Sequence, residues 1–193
     1  MIVCNFARPK KPTKYARMTQ KLLLNQLENE LRQQIEWVRN HTEVCESRLR
    51  VHSKSWTNEE TIAHLNALLE HYLPLLELSV HRAKARNWVA GERYHTSWLA
   101  ARMIRLKATA NPHKKSAPAV FNFFRKNPPT NGTKRLIIHL ERLLKLFPAL
   151  RQIDLNKPGI PLAPYNFFKI SLGNLLQFLC AGHNHHLMSL LGE

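Results

Sequence analysis

The side chains best able to do chemistry in this sequence are histidines, and three of them fall where helical spacing turns them inward. The last stretch, Ser171 to Glu193, reads SLGNLLQFLCAGHNHHLMSLLGE. Steps of three and four residues carry one face through Leu175, Leu179, Gly182 or His183, His186 and Leu190. An otherwise apolar helix face therefore brings imidazole to its buried side near its end. A polar ring left unpaired in such a place costs roughly 1–3 kcal/mol, so it needs a partner. His183 and His186 stand at i,i+3, which sets two nitrogens on one face. His64, two turns into an earlier helix and on a buried-looking face, supplies a third. Three protein nitrogens with an open water position is the catalytic arrangement of zinc, and a similar set suits nickel or iron. Such an ion lowers the pKa of a bound water towards about 7 and turns it into a base or nucleophile. The competing reading is plain packing, because the chain has 11 histidines and most must be surface or satisfied core residues. His185 is expected to point away from the other two.

These rings need helices to hold them. From Met18 a helical period begins, and a first helix is expected over about Thr19 to Arg48, with Leu22, Leu23, Leu27, Leu31, Ile35 and Val38 as its inner stripe. Glu28, Glu30, Arg32, Gln33 and Gln34 fill much of its other face. The segment SKSWTNEETIAHL carries a capping box, with Thr57 at the cap and Glu60 three residues on, and Trp56 before the cap can pack back on the helix. The second helix should reach about Arg86, with a kink or break at Pro74. Residues 88–132 are the least regular: one short helix in RYHTSWLAARMIRL, then loops in ANPHKKSAP and RKNPPTNG. A third helix is expected over about Thr133 to Gln152, its apolar face made by Leu136, Ile137, Leu140, Leu143, Leu144 and Phe147, with Pro148 kinking it or closing it early. The link QIDLNKPGIPLAP holds three prolines and must be extended or turning, and a short helix is expected over Tyr165 to Lys169. No strand-period segment and no repeat is visible. Four long amphipathic helices, with a long crossover between the second and third, make an all-α four-helix bundle, a fold that builds metal sites from side chains on facing helices.

The bulk composition sets the limits. At 193 residues the chain suits one domain with a real core. Residues 1–17 are basic, carry two prolines and lack a period, so they read as a flexible basic extension, and 18–193 as the folded domain. Met18 could then be the natural start. Cys4, Cys45 and Cys180 lie far apart with no CxxC, which argues for reduced thiols, a cytosolic compartment and no disulfide scaffold. Cys180 reads as a small core residue. No run approaches the roughly 18 uninterrupted apolar residues of a spanning helix, and no secretory signal opens the chain. The formal charge of +16 raises the prospect of nucleic acid, an anionic membrane or acidic ligands without touching the fold.

KSWTNEETIAHLNALLEHYLPLLE resembles the second helix of the DinB-like (YfiT-like) superfamily of metal-dependent enzymes, with a tryptophan before a capped helix and then His-Leu. DLNKPGIPLAPYNFFKISLGNLLQFLCAGHNHH resembles the family's C-terminal part, where a basic extended link leads to a final helix bearing two histidines. The likeness covers roughly Thr19 to Leu191. It implies a four-helix bundle with a long crossover, one divalent metal, zinc or nickel, held by three histidines, and thiol-dependent S-transfer between a small-molecule thiol and an electrophile. A homodimer is compatible with it. His64 matches the family's first ligand and His186 its last. The family spaces its final pair His-x-x-x-His, and four residues before His186 this chain has Gly182. Either His183 takes over at i,i+3, helped by a bend at the glycine, or a ligand is lost and the protein is a metal-free bundle. A different class of function rests on the charge: the basic 88–132 block, with Trp98, Phe121, Phe123 and Phe124 interleaved, could stack nucleic-acid bases or simply cover core. A membrane-surface role has no amphipathic segment behind it.

Overall fold

The computed structural model describes residues 18–49, 56–109, 131–157, 159–163 and 165–190. The expected basic extension, Cys4, Phe121, Phe123 and Phe124 lie outside the described residues.

The described chain is mostly helical. Helix α1 (Gln20–Asn40) starts where Thr19 caps it, its hydroxyl accepting the Leu22 N–H at 3.2 Å. It buries Leu23, Leu24, Leu27, Leu31, Ile35 and Val38, as the period predicts except at one position. Leu22, expected inside, is 48% exposed, and Leu24 takes a place in the core instead. The helix ends earlier than the period suggests, at His41, and a short α2 (Thr42–Cys45) follows. Helix α3 (Asn58–Ala85) runs through Pro74 as one helix and does not break there. Asn87, in the left-handed region at φ 51°, turns the chain out of it.

The crossover between α3 and the next long helix holds a helix of its own, α4 (Trp98–Thr109), which packs along the last helix. Helix α5 (Gly132–Lys145) buries Leu136, Leu140 and Leu143 and closes before the Phe147-Pro148 pair, which opens a short α6 (Phe147–Leu150). The proline therefore ends α5 early, where no N–H is needed in the first turn of α6. Helix α7 (Leu172–Ser189) completes the set, capped by Ser171. Helix α5 packs against α1 and α3, and α7 packs against α1 and α3. One contiguous apolar core fills the space between them.

Two small antiparallel pairs depart from the all-helical expectation. Met18–Thr19 (β1) pairs with Arg93–Tyr94 (β2), tying the start of α1 to the crossover. Gly159–Leu162 (β3) pairs with Tyr165–Ser171 (β4), so the short helix expected over Tyr165 to Lys169 is a strand. The reason is visible in the register: Ile160 sits opposite Ile170 with both side chains buried, and Pro161 within β3 favours an extended chain. Among the described residues no helix is long and apolar enough to cross a membrane.

Candidate functional site

Two local features place the site. At the start of α3 the Thr57 hydroxyl accepts the Glu60 N–H at 3.1 Å, and the Glu60 carboxylate accepts the Thr57 N–H at 2.8 Å. The reciprocal bonds fix the angle at which the chain enters the helix. Trp56, just before the cap, lies back over the first turns with its ring 4.7 Å from that of His64. The other feature is α7, whose apolar face, Leu175, Leu179 and Leu187, anchors it in the core and brings His186 to α3.

The rings of His64 and His186 meet edge to face, 5.0 Å between centroids. Trp56 lies nearly parallel to His186, 6.1 Å away. The Nε2 atoms of both histidines are shielded from solvent. Two imidazoles sharing a tetrahedral ion at about 2.1 Å have centroids roughly 5 Å apart, and this pair has that separation.

His183 does not complete the set. It is 1% exposed, and neither ring nitrogen has a hydrogen-bond partner among the described residues. Burial pushes its pKa down to about 4, so the ring is neutral. Its direction explains its isolation. At about 100° per residue, His183 lies between Asn184, which meets α1, and His186, which meets α3. Among the described residues no three His, Cys, Asp or Glu side chains are grouped as one ion requires. His185 is half-buried, its ring 5.6 Å from that of His186.

Gly182, one turn before His186, is buried, yet a Cβ there would meet nothing within 4 Å. The glycine thus leaves open space on the helix face that His186 shares.

On the α1 side stands a polar group that the sequence reading placed outside. Gln34, expected on the outer face, is 0% exposed. Its Nε2 donates to the Asn184 side-chain oxygen at 2.6 Å and the Cys180 carbonyl at 3.2 Å, while its Oε1 has no partner among the described residues. Asn184 in turn reaches the Glu30 carboxylate at 3.5 Å, and burial raises the Glu30 pKa. The signal was available: Gln34 stands three residues after Leu31 and four before Val38, inside the leucine stripe. Among the described residues the two thiols are unsuited to attack. Burial, and then the Glu30 charge, push Cys180 far up, and burial pushes Cys45 up to about 12.

Compared with models of known protein families, with curated proteins and with solved structures, this chain matches none.

Proposed function

We propose that the chain is a DinB-like four-helix bundle that binds one divalent ion, zinc or nickel, through His64 and His186, and promotes transfer of a small thiol to a small electrophile. The contact of His64 with His186 beneath Trp56 carries the proposal. The bundle rests on the closed ring of packing from α1 to α5 to α3 to α7 and back to α1, with the crossover between α3 and α5. A bound zinc or nickel ion supplies Lewis acidity and lowers the pKa of the thiol or water it holds.

The chain's own residues have separable tasks in this reading. His64 and His186 hold the ion from two different helices, so their spacing depends on how α3 and α7 pack. Trp56 covers the pair and excludes water from one side. Gly182 leaves room for a small ligand beside His186. Gln34 and Asn184 bridge α1 and α7 and keep the histidine-bearing end of α7 in register. Elemental analysis of protein purified without a nickel column tests the ion. A bound equivalent, or a clear rise in melting temperature with added zinc or nickel that His64→Ala and His186→Ala each abolish, is expected. No bound metal and no stabilisation would sink the proposal.

The second reading is a metal-free bundle. Gly182 and the separately buried His183 support it, because two imidazoles alone make a weak site. The same measurement decides between the two.

A further inference from the structure

The outer face of α4 is a second surface with chemistry of its own. Ala100 is buried and Met103 packs on the core, which fixes the inner side of the helix. Trp98, Arg102 and Arg105, at i, i+4 and i+7, fall within about 60° of one another on the opposite side. Trp98 is 64% exposed, and Arg102 and Arg105 are exposed as well. Most of the Trp98 ring surface faces solvent, on a helix already anchored from its other side. Exposed Arg93 and His95 precede it by a few residues. Arg93 and Arg102 form no ion pair among the described residues. Between Trp88 and Gly132 the sequence holds a single acid, Glu92, and the whole chain sets 29 Lys and Arg against 13 Asp and Glu.

We propose that this face of α4 binds single-stranded nucleic acid, with the Trp98 ring stacking on a base and Arg102, Arg105 and Arg93 holding the flanking phosphates. The partner follows from the pattern. A flat exposed ring needs an unstacked base, which a duplex hides. Arginines one and two turns along the same stripe match a phosphate backbone running beside that base. A lipid surface would ask for more apolar side chains on the face, and this one offers arginines on both following turns. The surface is separate from the histidine pair and does not rest on metal binding.

The test is fluorescence anisotropy of labelled dT12 and rU12 with the full chain in EDTA, across sodium chloride concentrations. Binding is expected to weaken at least about fivefold in Trp98→Ala, the loss of one stacked base. The double variant Arg102→Gln/Arg105→Gln should lower the slope of log K against log salt by about 1.4. A control double variant, Lys134→Gln/Lys145→Gln, removes the same charge from the exposed face of α5 and should leave Trp98 dependence intact. Three outcomes overturn the proposal. The oligonucleotide is not bound at low salt; or Trp98→Ala and the control bind alike, so that bulk charge does everything; or Trp98 matters only for vesicles of phosphatidylcholine and phosphatidylserine.

Discussion

His183 is the residue whose surroundings fit it least, since both ring nitrogens are buried without a hydrogen-bond partner among the described residues. Its folded pKa of about 4 lies below the ordinary 6.5. Above 6.5 the ring is neutral in both states and the depression has no effect. As pH falls from 6.5 towards 4 the unfolded chain takes a proton that the folded chain refuses, and stability drops by about 3 kcal/mol across that window. Urea unfolding at a series of pH values should show this fall, and His183→Leu should flatten it relative to the wild type. An unchanged slope in the variant would mean that the ring finds a partner. Gly182 poses the opposite problem, room without a side chain. Gly182→His has open space for its Cβ and places a second imidazole one turn from His186. Zinc affinity, measured by chelator competition, should then rise at least about tenfold over the wild type and over Gly182→Ala, because a third nitrogen joins the two. Equal affinity in all three proteins would show that the ion, if bound, sits elsewhere.

At the scale of elements, the start of α3 does two jobs with one pair of hydrogen bonds. Thr57→Ala should cost about 1 kcal/mol of stability, the usual loss of a cap. If the proposed ion binds, the same substitution should also lower the gain in melting temperature on adding zinc, because Trp56 lies beside that cap and over His64, whereas an equally destabilising core variant such as Leu136→Val should spare the gain. The capping box, the inner stripes of α5 and α7 and the buried positions of His64 and His183 were legible because local chemistry decides them, whereas of the α3 stripe His64, Leu68, His71 and Leu75 only the first two are buried. What was not legible is set by contacts that the helical period does not encode, some of them local and some distant in sequence. The helical period runs on past Asn40, but the chain leaves the helix at His41, whose Nδ1 lies 2.8 Å from the Trp37 carbonyl. The segment after Pro164 is rich in the strand-favouring Tyr165, Phe167, Phe168 and Ile170, and it pairs as a strand with Ile170 facing Ile160. Gln34 looked like surface because it is polar, and it is interior because Asn184 and the Cys180 carbonyl, some 150 residues on, receive it. The site divides the same way: spacing shows which face His183 and His186 share, and only the packing of α3 on α7 decides that His186 meets His64.

For the molecule as a whole the deciding quantity is charge. Six ion pairs join the described residues, among them Arg142 with Glu77, Arg151 with Glu28 and Arg39 with Glu141. All are at least partly exposed, and each such pair is worth about 0–1 kcal/mol before salt screens it. Against them stands a net charge of +16 over the whole chain, with 18 Lys and Arg against 12 Asp and Glu on the described residues. That self-repulsion grows as the square of the charge, and it falls when the chain expands on unfolding. Raising ionic strength from about 0.05 to 0.5 M shortens the screening length from roughly 14 to 4 Å, which weakens both terms. The pairs forfeit only part of a small sum, while the unbalanced charges lose repulsion that reaches across the whole molecule. The melting temperature should therefore rise by a few degrees with sodium chloride, and Glu77→Gln, which removes one pair and raises the net charge by one, should steepen that rise. A melting temperature that falls with salt would mean that the local pairs outweigh the excess charge.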